Sequence, residues 1–80
     1  MSLRIIVKTD QIRDWIETRR GTPARRNGTD GDVAVLFDEA KSDYETLSVD
    51  ELIEAMKANR LVMLVDQEAG KTFHKFVWHS

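Results

Sequence analysis

The sequence predicts a single α+β domain over residues 1–80, two helices packed on one sheet in the order β-α-β-α-β-β. Three observations carry this expectation. Short apolar runs alternate with two segments of helical periodicity. Each helical segment has its own start and stop signals. The last two apolar runs are joined by a short turn, and a parallel crossover needs about a dozen residues or more, so they form an antiparallel hairpin.

Residues 3–8 read as a short β-branched strand. Thr9 or Asp10 then caps a helix expected to run to Arg20, with Ile12, Trp15 and Ile16 as a narrow apolar stripe. Gly21 falls where a left-handed residue closes a helix, and Pro23 reinforces the stop. A polar loop with the turn dipeptide Asn27-Gly28 leads to residues 32–38, apolar on both faces as in an interior strand. A second loop, "EAKSDYET", precedes the strongest local signal. In "LSVDEL", Ser48 and Glu51 form a capping box, and Leu47 and Leu52 a hydrophobic staple. The helix continues through Met56 to Asn59, a residue tolerant of positive φ. Residues 61–65, "LVMLV", are a strand apolar on both sides. "DQEAGK" turns the chain, and "TFHKFVWH" closes it as an edge strand on which Lys75 discourages further pairing.

Composition narrows the function classes. Without cysteine the chain has no disulfide, thiolate nucleophile or cysteine-bound zinc, which suits a cytoplasmic protein. The apolar run at residues 3–7 is too short and too charged for a leader peptide, and nothing approaches the ~20 apolar residues of a membrane span, so no membrane partner is expected. The net charge of −2 hides a gradient. Residues 1–29 carry seven Lys/Arg against three Asp/Glu, and residues 30–70 carry three against eleven. Either the two poles compensate each other in the fold or the basic third meets a polyanion.

Several stretches resemble a family of short uncharacterised bacterial proteins: "TDQIRDWIETRRGTPA", "LSVDELIEAMKANRLVMLV" and "KTFHKFV". The shared pattern is an IRxW helix, a Gly-x-Pro-Ala turn, a Ser-led DE helix and a terminal Phe-Lys strand. The resemblance implies a fold and names no reaction. Similar proteins are sometimes labelled 1,4-alpha-glucan branching enzyme. That chemistry needs two positioned carboxylates in a sugar cleft, on a barrel of about 250 residues, so the label does not transfer.

No catalytic, cofactor-binding or metal-binding residues are expected, and the chain is not read as an enzyme. His74 and His79 are five apart, on opposite faces of a strand, and read as surface residues. The serines lack a nucleophile's context. "FDEAKSDYE" lacks the spacing of a calcium loop, and no phosphate-cradling glycine motif occurs.

Binding is the remaining class. On the helical wheel Arg19 falls within the apolar stripe and is expected to snorkel, while Glu17 can pair with Arg13 and Arg20. Arg25 and Arg26 have no evident structural partner. Arg13, Arg20, Arg25 and Arg26 are therefore the candidate polyanion contacts, although a pI near 5.6 is far from a nucleic-acid-binding footprint. Phe73, Phe76 and Trp78 crowd the terminal strand and are the candidate protein contacts. The sequence thus favours a small binding or accessory module acting through a protein partner or self-association. A weak nucleic-acid binder is the alternative.

Overall fold

In a computed structural model, which describes residues 1–38 and 42–79, the chain forms eight elements. In chain order they are β1 (Leu3–Ile6), α1 (Thr9–Thr18), β2 (Thr22–Arg26) and β3 (Val33–Leu36). β4 (Tyr44–Thr46), α2 (Val49–Ala58), β5 (Leu61–Asp66) and β6 (His74–Trp78) follow. The α+β class and the two helices stand, but the single sheet does not. The strands divide into two antiparallel three-stranded sheets, ordered β1-β5-β6 and β3-β2-β4.

The extra strands come from segments expected to be loops. β2 carries Pro23 and two arginines, a poor strand composition. Yet Pro23 and Ala24 are buried, and β2 is the centre of its sheet. The missing N–H of Pro23 is tolerated because β4 pairs with β2 only from Ala24 onward. The Pro23 carbonyl still accepts the Leu47 N–H at 2.9 Å. Residues 32–38, expected as an interior strand, yield β3 at an edge. The loop read into "EAKSDYET" yields β4, while residues 39–41 lie outside the described residues. The β5-β6 hairpin is antiparallel, with Met63 opposite Phe76.

The helix ends also differ. Lys8, not Thr9 or Asp10, is the N-cap of α1 and its own side chain makes no cap bond, while Asp10 Oδ1 accepts the Gln11 N–H at 3.0 Å and Gln11 Oε1 the Lys8 N–H at 3.5 Å. Arg20 (φ 57°) takes the left-handed position expected of Gly21. Gly21 is needed for a different reason. A Cβ there would come within 3.0 Å of the Phe37 ring. α2 has its capping box, with Ser48 Oγ accepting the Glu51 N–H at 3.0 Å and Glu51 accepting the Ser48 N–H at 2.8 Å. Asn59 keeps an ordinary φ and donates its side-chain amide to the Ala55 carbonyl at 2.9 Å, leaving Arg60 (φ 55°) left-handed.

One core joins the layers. Ile12, Trp15 and Ile16 of α1 and Leu52, Ile53 and Met56 of α2 meet Ile6, Met63 and Val65 of one sheet and Val33 and Val35 of the other. Leu52 and Met63 are wholly buried, each contributing about 1.5–3 kcal/mol by area. Trp15 also fixes α1 to β5, donating its indole N–H to the Asp66 carbonyl at 2.9 Å. Arg19 covers the Trp15 ring at 4.6 Å and donates to the carbonyls of Glu68 (2.9 Å) and Lys71 (2.6 Å). It therefore gathers the β5-β6 turn against α1.

Candidate protein-contact surface

The β1-β5-β6 sheet turns one face to the core and the other outward. Side chains alternate along strands, so burial of Ile6, Met63 and Val65 assigns Leu3, Ile5, Val62 and Leu64 to the outer face. On β6 the same rule turns Lys75 and Val77 outward. Registry arranges these residues in rows. Ile5 lies beside Leu64, which lies beside Lys75, and Val62 lies beside Val77. Leu3 lies beside Asp66, whose N–H donates to the Phe73 carbonyl at 3.0 Å and so adds Phe73 to that row. Val7, one residue past β1, borders a hollow that Val62 shares with Ile12 and Ile53.

Three of these side chains on or beside β1 are strongly exposed: Leu3 at 45%, Ile5 at 57% and Val7 at 57%. Polar character on this face is small. Asp66 is only 4% exposed and accepts the N–H groups of Glu68 (3.0 Å) and Ser2 (3.3 Å). Those bonds hold its carboxyl below the ordinary aspartate range, with the Glu68 N–H the larger cause. Lys75 is the remaining charge, and it stands on an edge strand.

The terminal aromatics separate by role. Phe76 is half-buried against the core. It stacks edge-on with His74, which also meets Trp15 and Phe37 at ring distances of 5.7 and 5.8 Å. His74 is thus an aromatic-cluster residue and not the surface histidine expected, its Nδ1 3.0 Å from the Thr72 carbonyl. Phe73 (46% exposed) and Trp78 (68% exposed) remain accessible at opposite ends of β6.

The candidate polyanion residues are largely occupied by carboxylates. Arg13 pairs with Asp50 at 2.9 Å and reaches Glu17 at 3.9 Å. Arg26 pairs with Asp32 at 2.9 Å and sits over the Tyr44 ring. Arg25 pairs with Glu45 on the neighbouring strand. Arg25 and Arg26, expected to lack structural work, therefore tie β2 to its own sheet. The basic third and the acidic middle of the chain neutralise each other at these three places. Arg20 pairs with no described carboxylate, so the expected pairing with Glu17 is limited to Arg13.

A groove of about 700 Å³ is lined by Arg25, Asp30, Asp50, Glu51 and Glu54 beside the α2 N-terminus. Two of its carboxylates are engaged: Asp50 with Arg13, and Glu51 in the Ser48 cap. Hydrogen bonds from Ser48, the backbone one larger, hold Glu51 below the ordinary glutamate range. Among the described residues no group of three or more His, Cys, Asp or Glu is placed to hold a metal ion. No helix among them is long and apolar enough to cross a membrane.

Compared with known protein families, curated proteins and solved structures, the chain finds no match. The surface itself carries the reading.

Of the three expected contacts, Phe73 and Trp78 are exposed and Phe76 is half-buried, and Leu3, Ile5 and Leu64 were not singled out by the sequence. The signal was present: both "LRIIV" and "LVMLV" are apolar on two faces, and one of those faces needs covering.

Proposed function

We propose that this chain is a non-enzymatic binding module whose working surface is the outer face of the β1-β5-β6 sheet, used for protein contact. The observation that carries the reading is the exposure of Leu3, Ile5, Val7 and Phe73 on or beside one continuous face. Isolated exposed apolar residues are ordinary, whereas a contiguous apolar patch marks an interaction site. The non-enzymatic part is supported by the employment of the reactive groups. Ser48 caps a helix and His74 is packed among rings. The polyanion alternative draws little support from arginines already facing carboxylates.

A photo-crosslinking side chain placed at Ile5 tests the reading in cells. Discrete adducts are expected from that position and not from Glu54 on α2. Adducts from Glu54 with none from Ile5 would sink it.

A further inference from the structure

We propose that the occupant of this face is the same face of a second copy of the chain, so that the module is a homodimer built by stacking two β1-β5-β6 sheets. The proposal rests on the protein-contact reading above and adds the identity of the partner.

Size is the first argument. Strands about 4.8 Å apart with a rise of about 3.4 Å per residue give the outer grid roughly 300 Å² once side chains are included. A standard interface takes about 800 Å² from each partner, an apolar centre inside a polar rim. The grid supplies roughly two-fifths of that area as its apolar centre, and the rim must supply the rest. Lys8, Glu68, Lys71 and Lys75, all exposed and next to it in the chain or on the sheet, furnish the rim. Sheets of this kind pack face to face about 10 Å apart with strands within about 30° of each other.

Charge is the second argument. A two-fold interface sets a surface against itself, so every free charge on it meets its own kind. This face has almost none. Asp66 is buried and held by two backbone N–H groups. Lys75 lies on the edge strand β6, where its stem can cover apolar surface while the ammonium reaches water. The net charge of −2 leaves little repulsion between copies. A partner of a different kind would be selected by polar or charged features on the face, and such features are scarce here. The face is complementary to itself.

Sedimentation of the full chain tests this. A species of twice 9.2 kDa is expected, with a Kd of about 1–10 μM for an interface at the small end of the standard range. Ile5→Lys should weaken association by roughly 30-fold, as loss of a central apolar contact does. Leu3→Lys, also at an exposed position, is the second variant. Far-UV circular dichroism confirms that both remain folded. Trp78→Ser, outside the grid, should leave the dimer intact. A monomer at several hundred micromolar (about 100-fold above the expected Kd) would overturn the proposal. So would a dimer indifferent to Ile5→Lys and Leu3→Lys but lost in Trp78→Ser, which would indicate pairing at the β6 end instead. A monomer whose Ile5 still crosslinks to another protein would remove the second copy and keep the contact reading. A monomer with no Ile5 adduct would remove both.

Discussion

Asp66 shows how much one residue carries in a chain of this size. Its carbonyl receives the Trp15 indole N–H and its carboxylate receives two backbone N–H groups, so α1, the start of β1 and the β5-β6 turn meet there. Glu51 does comparable work at the head of α2. Both carboxyls have folded pKa values lowered from the ordinary range by the hydrogen bonds they accept. Their contribution is therefore complete above the unfolded values near about 4, and it is lost as pH falls through the folded ones. Urea unfolding should give constant stability above about pH 5 and a decline below about pH 4.5. Asp66→Asn combined with Glu51→Gln should flatten that decline. An unchanged acid limb in the double variant would show that other groups cause it.

At the scale of elements, the two helices contrast. α2 was legible because its signals are local: Ser48, Glu51, Leu47 and Leu52 lie within six consecutive positions, and the cap forms as the spacing implies. α1 has no such cap. Lys8 occupies the N-cap, has no acceptor, and brings a cation to the positive end of the helix dipole. Lys8→Ser should raise stability by about 1 kcal/mol, read as a higher urea midpoint at unchanged slope. No gain would mean that Asp10, which already accepts the Gln11 N–H at 3.0 Å, makes the added cap redundant. Both helices close on a left-handed arginine, although the sequence offered Gly21 and Asn59 nearby. Gly21 was unreadable as a packing residue because its neighbours Val35 and Phe37 come from a different strand segment. β2 was missed for a related reason. Arg25 and Arg26 look like loop residues until Glu45 and Asp32 are brought beside them by pairing that local sequence does not encode. The outer face shares that character. Phe73 and Trp78 stood out by type, whereas the rows joining Ile5 to Leu64 and Lys75 exist only once the register is known.

For the whole molecule, the two sheets differ in how far apart their strands lie in the chain. Thr22 pairs with Leu36 and Ala24 with Thr46, contacts that close short loops. Ile6 pairs with Met63, across both helices and the entire other sheet. Loop closure costs more as its length grows, so the local sheet is the cheaper one to begin with. Folding kinetics should place Val35→Ala early, with a φ-value of about 0.5 or more, and Ile6→Val late, near about 0–0.3. The reverse order would mean that the strand at the front of the chain finds β5 before the hairpin forms.

That separation has a consequence during synthesis. β1 is made before its sheet neighbour among the described residues, β5, which is translated more than fifty positions later. Until residues 63–66 have emerged, β1 has no strand to pair with and Ile6 lacks the Met63 and Val65 beside which it is buried. The nascent chain thus displays a short adhesive strand while both helices and the other sheet are being made. Arg4 and Lys8, charges set within and just after that strand, are the residues placed to keep it from sticking to other chains in the interval.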